Sequence, residues 1–224
     1  RILSDGLIRF TQPQAFNDPF ELKPSIESIS TDHHLAEALN QNFEALIDEQ
    51  YNELPLEVRK ILSRKAFASY AELKKEEVLV GVKNVATQAS PLLEKVIHEG
   101  FEKHVGVLSL TQSPSNLLMW AHYANSHEGF VIGFDSSHPF FDQRKSEKDE
   151  LRLLRKVVYE TLRPRHVLSE MENMADFLVK SSDWAYEEEW RMLVALADAD
   201  KKISEKQYDV CLFRVPFEAF TSVR

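Results

Sequence analysis

The stretch Trp184–Val194 reads WAYEEEWRMLV, three consecutive glutamates between two tryptophans with Arg191 shortly after them. In an extended chain Glu187, Glu189 and Arg191 point to one face, while Tyr186, Glu188 and Trp190 point to the other. In a helix Glu187 and Arg191 form an i,i+4 pair instead, worth about 0.2–0.5 kcal/mol. A strand beginning near Glu188 is the expectation, because the chain turns apolar directly afterwards. Two carboxylates on one face repel unless a cation or a ligand compensates them. Charge clustered at such a cost marks a candidate functional site. A structural Glu–Arg pair beside tryptophan packing explains the same residues without chemistry.

Three other clusters carry polar groups of interest. Ser109 and Thr111, in VGVLSLT, share a face of an extended segment and can bond a ligand's ribose or cap a following helix. The span Leu117–Asp135 packs Trp120, His122, Tyr123 and His127 closely together. Its two histidines are five apart rather than i,i+4, so aromatic packing on a helix ending at Gly129 is expected and no metal is. In FNDPFE, Asp18 and Glu21 could bind a metal, but an Asn17-Asp18-Pro19 turn between core-facing Phe16 and Phe20 accounts for the motif. Six glycines, none in a GxGxxG or GKT setting, argue against Rossmann and P-loop sites. Cys211 lies in an apolar run and is expected to be buried rather than nucleophilic.

The elements that must position these groups follow from patterning. Strands are expected at Leu7–Phe10, Val105–Leu110, Phe130–Phe134, Val157–Glu160 and Tyr208–Val215. Helical periodicity runs from Asp32 to Gln50, then from Pro55 to about His104 with breaks near Gly81 and Pro91. Further helices are expected at Asn116–Asn125, started by Ser113-Pro114-Ser115, and from about Pro164 to Ser181; Lys145–Lys156 reads as solvated. The fold class is therefore α+β: one domain over residues 1–224 with an antiparallel or mixed β core and a helical layer or insertion at about 32–104. The chain opens at Arg1 inside a structured segment and stops at TSVR, so an excerpt of a longer protein is expected.

Composition narrows the class. A net charge of −9 disfavours a diffuse nucleic-acid binder, and a single cysteine excludes an internal disulfide. No apolar run reaches membrane-spanning length and no signal peptide is visible, so a cytoplasmic protein without a membrane partner is expected.

Taken in order, LIRFTQPQAFNDPFE, VLSLTQSPSNLLMWAHYANSHEGFVIGFD and Lys180 with WAYEEEWR resemble an uncharacterised bacterial family, a domain of unknown function numbered 2971. A looser likeness joins Arg9, Ser109 with Thr111, and Glu187 with Glu189 to the Arg–Ser–Glu pattern of ADP-ribosyltransferases, and it implies a fold of that type. It also implies NAD as co-substrate, an acceptor that is a protein or a nucleic acid, and a role as a toxin or anti-phage effector. Glu189 would stabilise positive charge on the ribose and Glu187 would orient or deprotonate the acceptor. Arg9, Ser109 and Thr111 would belong to the co-substrate site, Ser109 and Thr111 bracing the carboxylate or the ribose, with Trp120 or Tyr123 stacked on nicotinamide. Two alternatives are a non-catalytic ligand- or partner-binding sensor module, and a metal-dependent nuclease or hydrolase using Asp18, Glu21, Glu187 and Glu189.

Overall fold

The computed structural model describes residues 2–16, 18 and 21–224. The Asn17-Asp18-Pro19 turn and the packing of Phe20 fall largely outside these residues. Contacts divide the chain into two compact units, the first formed by Arg1–Ser25, Lys95–Pro164 and Asn173–Arg224, the second by Ile26–Glu94 and Arg165–Glu172. Helices and small sheets are both present, so the chain is α+β.

In chain order the helices are α1 (Ile2–Asp5), α2 (Asp32–Glu53), α3 (Leu56–Ile61), α4 (Arg64–Leu73), α5 (Lys75–His104) and α6 (Leu117–Tyr123). The strands open with β1 (Leu7–Phe10), β2 (Ser25–Ser28), β3 (Val105–Thr111), β4 (Ile132–Phe134), β5 (Leu154–Lys156) and β6 (Val158–Glu160). They continue with β7 (Arg165–Val167), β8 (Val179–Ser181), β9 (Glu189–Ala195), β10 (Lys201–Ile203), β11 (Val210–Arg214) and β12 (Phe220–Val223).

The second unit is built on helix periodicity. Leu39, Phe43 and Ile47 recur every four residues along α2 and bury one stripe against Phe67, Ala68, Ala71 and Leu79. Thr31 caps α2 by accepting the His34 N–H. The breaks expected near Gly81 and Pro91 do not occur, because α5 runs unbroken through both. Proline removes one backbone bond there, and the long helical stretches on either side hold the axis together.

The first unit contains most of the sheets, while β2 pairs with β7 in the second. β11 lies between β1 and β10, and β9 lies between β3 and β5, with all these pairings antiparallel. A two-way bridge between Thr11 and Val107 (2.8 and 2.9 Å) joins the end of β1 to β3. Behind it Phe10, Leu108, Met192, Val194, Cys211, Phe213 and Val215 form the core. Each fully buried side chain of this size contributes about 1.5–3 kcal/mol relative to exposure. Cys211 is buried there, as its apolar run implies.

The helix expected from Pro164 to Ser181 is absent. That segment forms β7, short 3-10 turns and β8. Its backbone groups are bonded elsewhere: β8 pairs parallel with β6, and Ser169 N–H donates to the Ile29 carbonyl. Long-range backbone pairing here overrides the local helical pattern.

Candidate functional site

The central strand β9 fixes the site. Antiparallel register sets Thr111 opposite Glu189 and Ser109 opposite Arg191, so these four project to one side of the β3–β9 pair. Glu187 arrives differently from the expectation. It ends a 3-10 turn over Ser182–Glu187, and Glu188 follows in a left-handed conformation (φ 45°, ψ 49°). The strand starts only at Glu189, so Glu187 and Glu189 do not share a strand face by alternation. The left-handed residue turns the chain, and the two carboxylates meet on Lys180 instead.

Lys180 and Arg191 organise the cluster. Lys180 Nζ contacts Glu187 Oε2 at 2.5 Å, Glu189 Oε2 at 3.0 Å and Glu21 Oε1 at 3.3 Å. Arg191 donates from Nε to Glu189 Oε1 (2.7 Å) and from Nη2 to Glu189 Oε2 (2.8 Å), and also pairs with Glu21. All five side chains are buried, Arg191 completely. Phe16 lies 5.4 Å from the Arg191 guanidinium and Trp184 lies 5.1 Å from the Lys180 ammonium, both within cation–π range. Three carboxylates thus share two cations.

Electrostatics follow from that burial. Desolvation pushes the Glu189 carboxyl above its usual range, while Lys180 and a hydrogen bond from Ser109 pull against it. For Lys180, burial opposes the charge, but Glu189 and Glu187 outweigh it and the ammonium holds its proton more tightly than usual. Burial pulls the Arg191 guanidinium down to about 9, which leaves it charged at neutral pH. Tyr123 donates its hydroxyl to Glu187 Oε1 (2.8 Å). Burial of that hydroxyl, reinforced by Glu187, raises the phenol well above its ordinary value.

Local scaffolding places these groups. The Ser113-Pro114-Ser115 start expected for α6 is replaced by an asparagine cap. Asn116 Oδ1 accepts from Leu118 and Met119 N–H, and its Nδ2 donates to the Tyr186 carbonyl (2.7 Å). One side chain therefore caps the helix bearing Tyr123 and ties it to the segment bearing Glu187. Thr111 does not cap a helix; its hydroxyl donates to the Glu187 carbonyl at 2.7 Å. The helix also stops before Gly129, with Asn125, Ser126 and His127 all at positive φ.

A cleft of about 880 Å³ opens over the cluster. Arg9, Ser109, Thr111, Tyr123, Glu187 and Glu189 all line it, as do Asp18, Glu21, Lys180 and Trp184. Trp120 is not among its lining residues; its indole donates to the Pro114 carbonyl. Residues separated by up to 180 positions are thereby brought to one wall, while Lys180 and Glu21 supply contacts that no local spacing announces. Lys180 occupies the space among three carboxylates that a cation would take, which tells against metal chemistry at this point. Among the described residues no group of three His, Cys, Asp or Glu is arranged to hold a metal. No helix among them is long and apolar enough to cross a membrane.

The fold and site define an α+β chain whose first unit holds a cleft walled by buried ion pairs. A family model described as "Protein of unknown function (DUF2971)" matches residues 119–192, the segment carrying MWAHYANSHEG and WAYEEEWR, and the resemblance read from those motifs is borne out. No curated protein and no solved structure matches the chain.

Proposed function

We propose that the cleft takes NAD as co-substrate and that the chain cleaves its nicotinamide–ribose bond, passing ADP-ribose to an acceptor or to water. The observation that carries this is convergence: Arg9 from β1, Ser109 and Thr111 from β3, and Glu187 with Glu189 from the β9 region line one cleft. Its volume lies within the range of small-molecule and cofactor sites. Glu189, held by Arg191 and Lys180, is a fixed negative charge suited to a ribose that becomes cationic as the C–N bond breaks. Glu187 would accept the proton of the attacking hydroxyl, amine or water, and the bonding electrons would leave with nicotinamide. Arg9, exposed at the cleft, would meet the diphosphate. Consumption of NAD or modification of an acceptor would suit a toxin or an anti-phage effector.

One observation favours a second reading. Both Glu189 oxygens are already bonded, so the cluster is also what a non-catalytic ligand- or partner-binding sensor would use to hold its wall together. Incubation with NAD labelled in the adenylate half, with nicotinamide measured in parallel, separates the two. The enzyme reading expects nicotinamide release by wild type and loss of at least 100-fold in Glu189→Gln, the scale for removing one transition-state contact. Absence of nicotinamide release and label transfer with wild type, or full activity in a folded Glu189→Gln, would leave the sensor reading.

A further inference from the structure

Two acidic side chains of the cleft share a cation to which no catalytic pattern assigns a part. We propose that Lys180 is a positioning residue of this site: by bridging Glu187 and Glu189 it lets two carboxylates stand side by side in a buried wall and turns Glu187 toward the cleft.

Lys180 is the middle residue of β8, and its register against Tyr159 of β6 fixes where its side chain begins. Lys180 is 7% exposed, and its ammonium reaches Glu187, Glu189 and Glu21. Tyr159 belongs to the same arrangement, since its hydroxyl accepts the Glu189 N–H at 2.8 Å. The groups facing Lys180 are Glu21 from the segment after Asp18, Tyr159 from β6, Trp184, Tyr186 and Glu187 from the 3-10 turn, and Glu189 from β9. Tyr123 from α6 reaches the cluster through Glu187, and Ser109 and Arg191 reach it through Glu189. Asp18 acts on Arg191. Removing the ammonium would leave Glu21, Glu187 and Glu189 facing Arg191 alone, and like charges in a dry wall resist common ionisation.

The division of labour between the cations supports this. Arg191 takes both Glu189 oxygens and Glu21, and no bond from it reaches Glu187 among the described contacts. Lys180 holds Glu187 through Oε2, which leaves Oε1 for Tyr123 on the cleft side. Arg191 therefore anchors the wall, and Lys180 sets the buried carboxylate that meets Tyr123 in the cleft lining.

The catalytic consequence rests on the glycosyl-transfer reading; the charge claim stands on geometry. Wild type, Lys180→Met and Lys180→Arg are compared in the whole chain. Carboxyl carbon NMR, with the Glu189 resonance assigned by Glu189→Gln, should show Glu189 titrating about one pH unit higher or more in Lys180→Met, and returning toward wild type in Lys180→Arg. An unchanged Glu189 titration in folded Lys180→Met overturns the proposal. Should Lys180→Met fail to fold, the Nζ resonance of wild type decides: retention of the Lys180 proton beyond the ordinary lysine range supports the bridge, and loss at or below it overturns it. Where wild type releases nicotinamide, the acidic limb of its pH profile should move up in Lys180→Met and recover in Lys180→Arg. A wild type without nicotinamide release sinks the enzymatic reading, and the NMR titration still judges Lys180.

Discussion

Arg191 grips Glu189 through both carboxylate oxygens, Nε to Oε1 at 2.7 Å and Nη2 to Oε2 at 2.8 Å, and the two residues lie two apart on one strand. The same guanidinium pairs with Glu21, far away in sequence, and rests on Phe16. Breaking a buried pair from one side leaves its partner charge desolvated and uncompensated, at about 3–5 kcal/mol. Arg191→Met is expected to lose that much in urea unfolding followed by tryptophan fluorescence. Arg191→Lys should fall between, because an ammonium keeps the charge but not the planar fork. A loss below about 1 kcal/mol in Arg191→Met, the level of an exposed pair, would show that the cluster does not hold the wall.

Tyr123 gives a pH-dependent signature. The residue is 57% exposed, yet its hydroxyl is held by Glu187, and both partial burial and that bond raise its pKa. The unfolded phenol titrates near about 10. A phenol that binds its proton more tightly when folded contributes stability present in full below that value and lost as pH rises through the folded one. Of the six tyrosines, then, Tyr123 should be silent near pH ~10. Phenolate absorbance of wild type and Tyr123→Phe is expected to coincide through that range and to separate only above it. Separation at the ordinary tyrosine midpoint would refute the Tyr123–Glu187 bond.

How much of this was legible in the sequence depends on the range of the interaction. The β-rich runs became strands close to where patterning put them, since alternation and apolar runs are local properties. The coupling of Glu189 to Arg191 could be read because both lie on one strand face. Lys180 and Glu21 could not, because their meeting depends on the parallel pairing of β6 with β8 and on a loop far upstream. The helix expected over Pro164–Ser181 failed for the same reason: its carbonyls and amides find partners in distant strands. Glu188 misled the face assignment because a left-handed glutamate leaves no mark in composition.

Asn116 holds two roles that substitution can separate. Its Oδ1 caps α6 while its Nδ2 ties that helix to the Tyr186 carbonyl. Asn116→Asp keeps a good cap and loses the tie; Asn116→Ala loses both. The expected cost is about 1 kcal/mol for the lost tie and about another 1 for the lost cap. Thermal melts of the two variants should therefore rank wild type, Asn116→Asp, Asn116→Ala. Equal melting of Asn116→Asp and wild type would mean that the bond to Tyr186 contributes nothing.

At Gly106, β3 packs tightly against Leu196 and Phe10. A Cβ there would lie 2.6 Å from Leu196 Cδ2 and 3.1 Å from Phe10 Cβ. Its backbone is not left-handed, so the cost of Gly106→Ala is steric, about 1–3 kcal/mol of overpacking. Shortening Leu196 removes the closer clash. Gly106→Ala should thus cost less in a Leu196→Val background than in wild type, and a double-mutant cycle by urea unfolding measures the coupling. Additive effects would place the strain elsewhere.

Glu188 is the residue that reorients the acidic run, and its left-handed backbone is a local cost. At φ 45° the Cβ crowds the carbonyl, a penalty of roughly 1–2 kcal/mol that glycine escapes. The Glu188 carbonyl accepts from Gln112 N–H and its own N–H donates to the Ala185 carbonyl, so the turn is bonded through the backbone and survives loss of the side chain. Glycine also gains freedom in the unfolded chain, which offsets about 0.4–1 kcal/mol of the relief. Glu188→Gly is therefore expected to be neutral to slightly stabilising, whereas Glu188→Val, β-branched at positive φ, should destabilise by about 1–2 kcal/mol, the size of the left-handed penalty. Melting curves of the pair check this. If Glu188→Val melts with wild type, the left-handed turn is not what brings Glu187 to Lys180, and the carboxylate pair must be held by the cations alone.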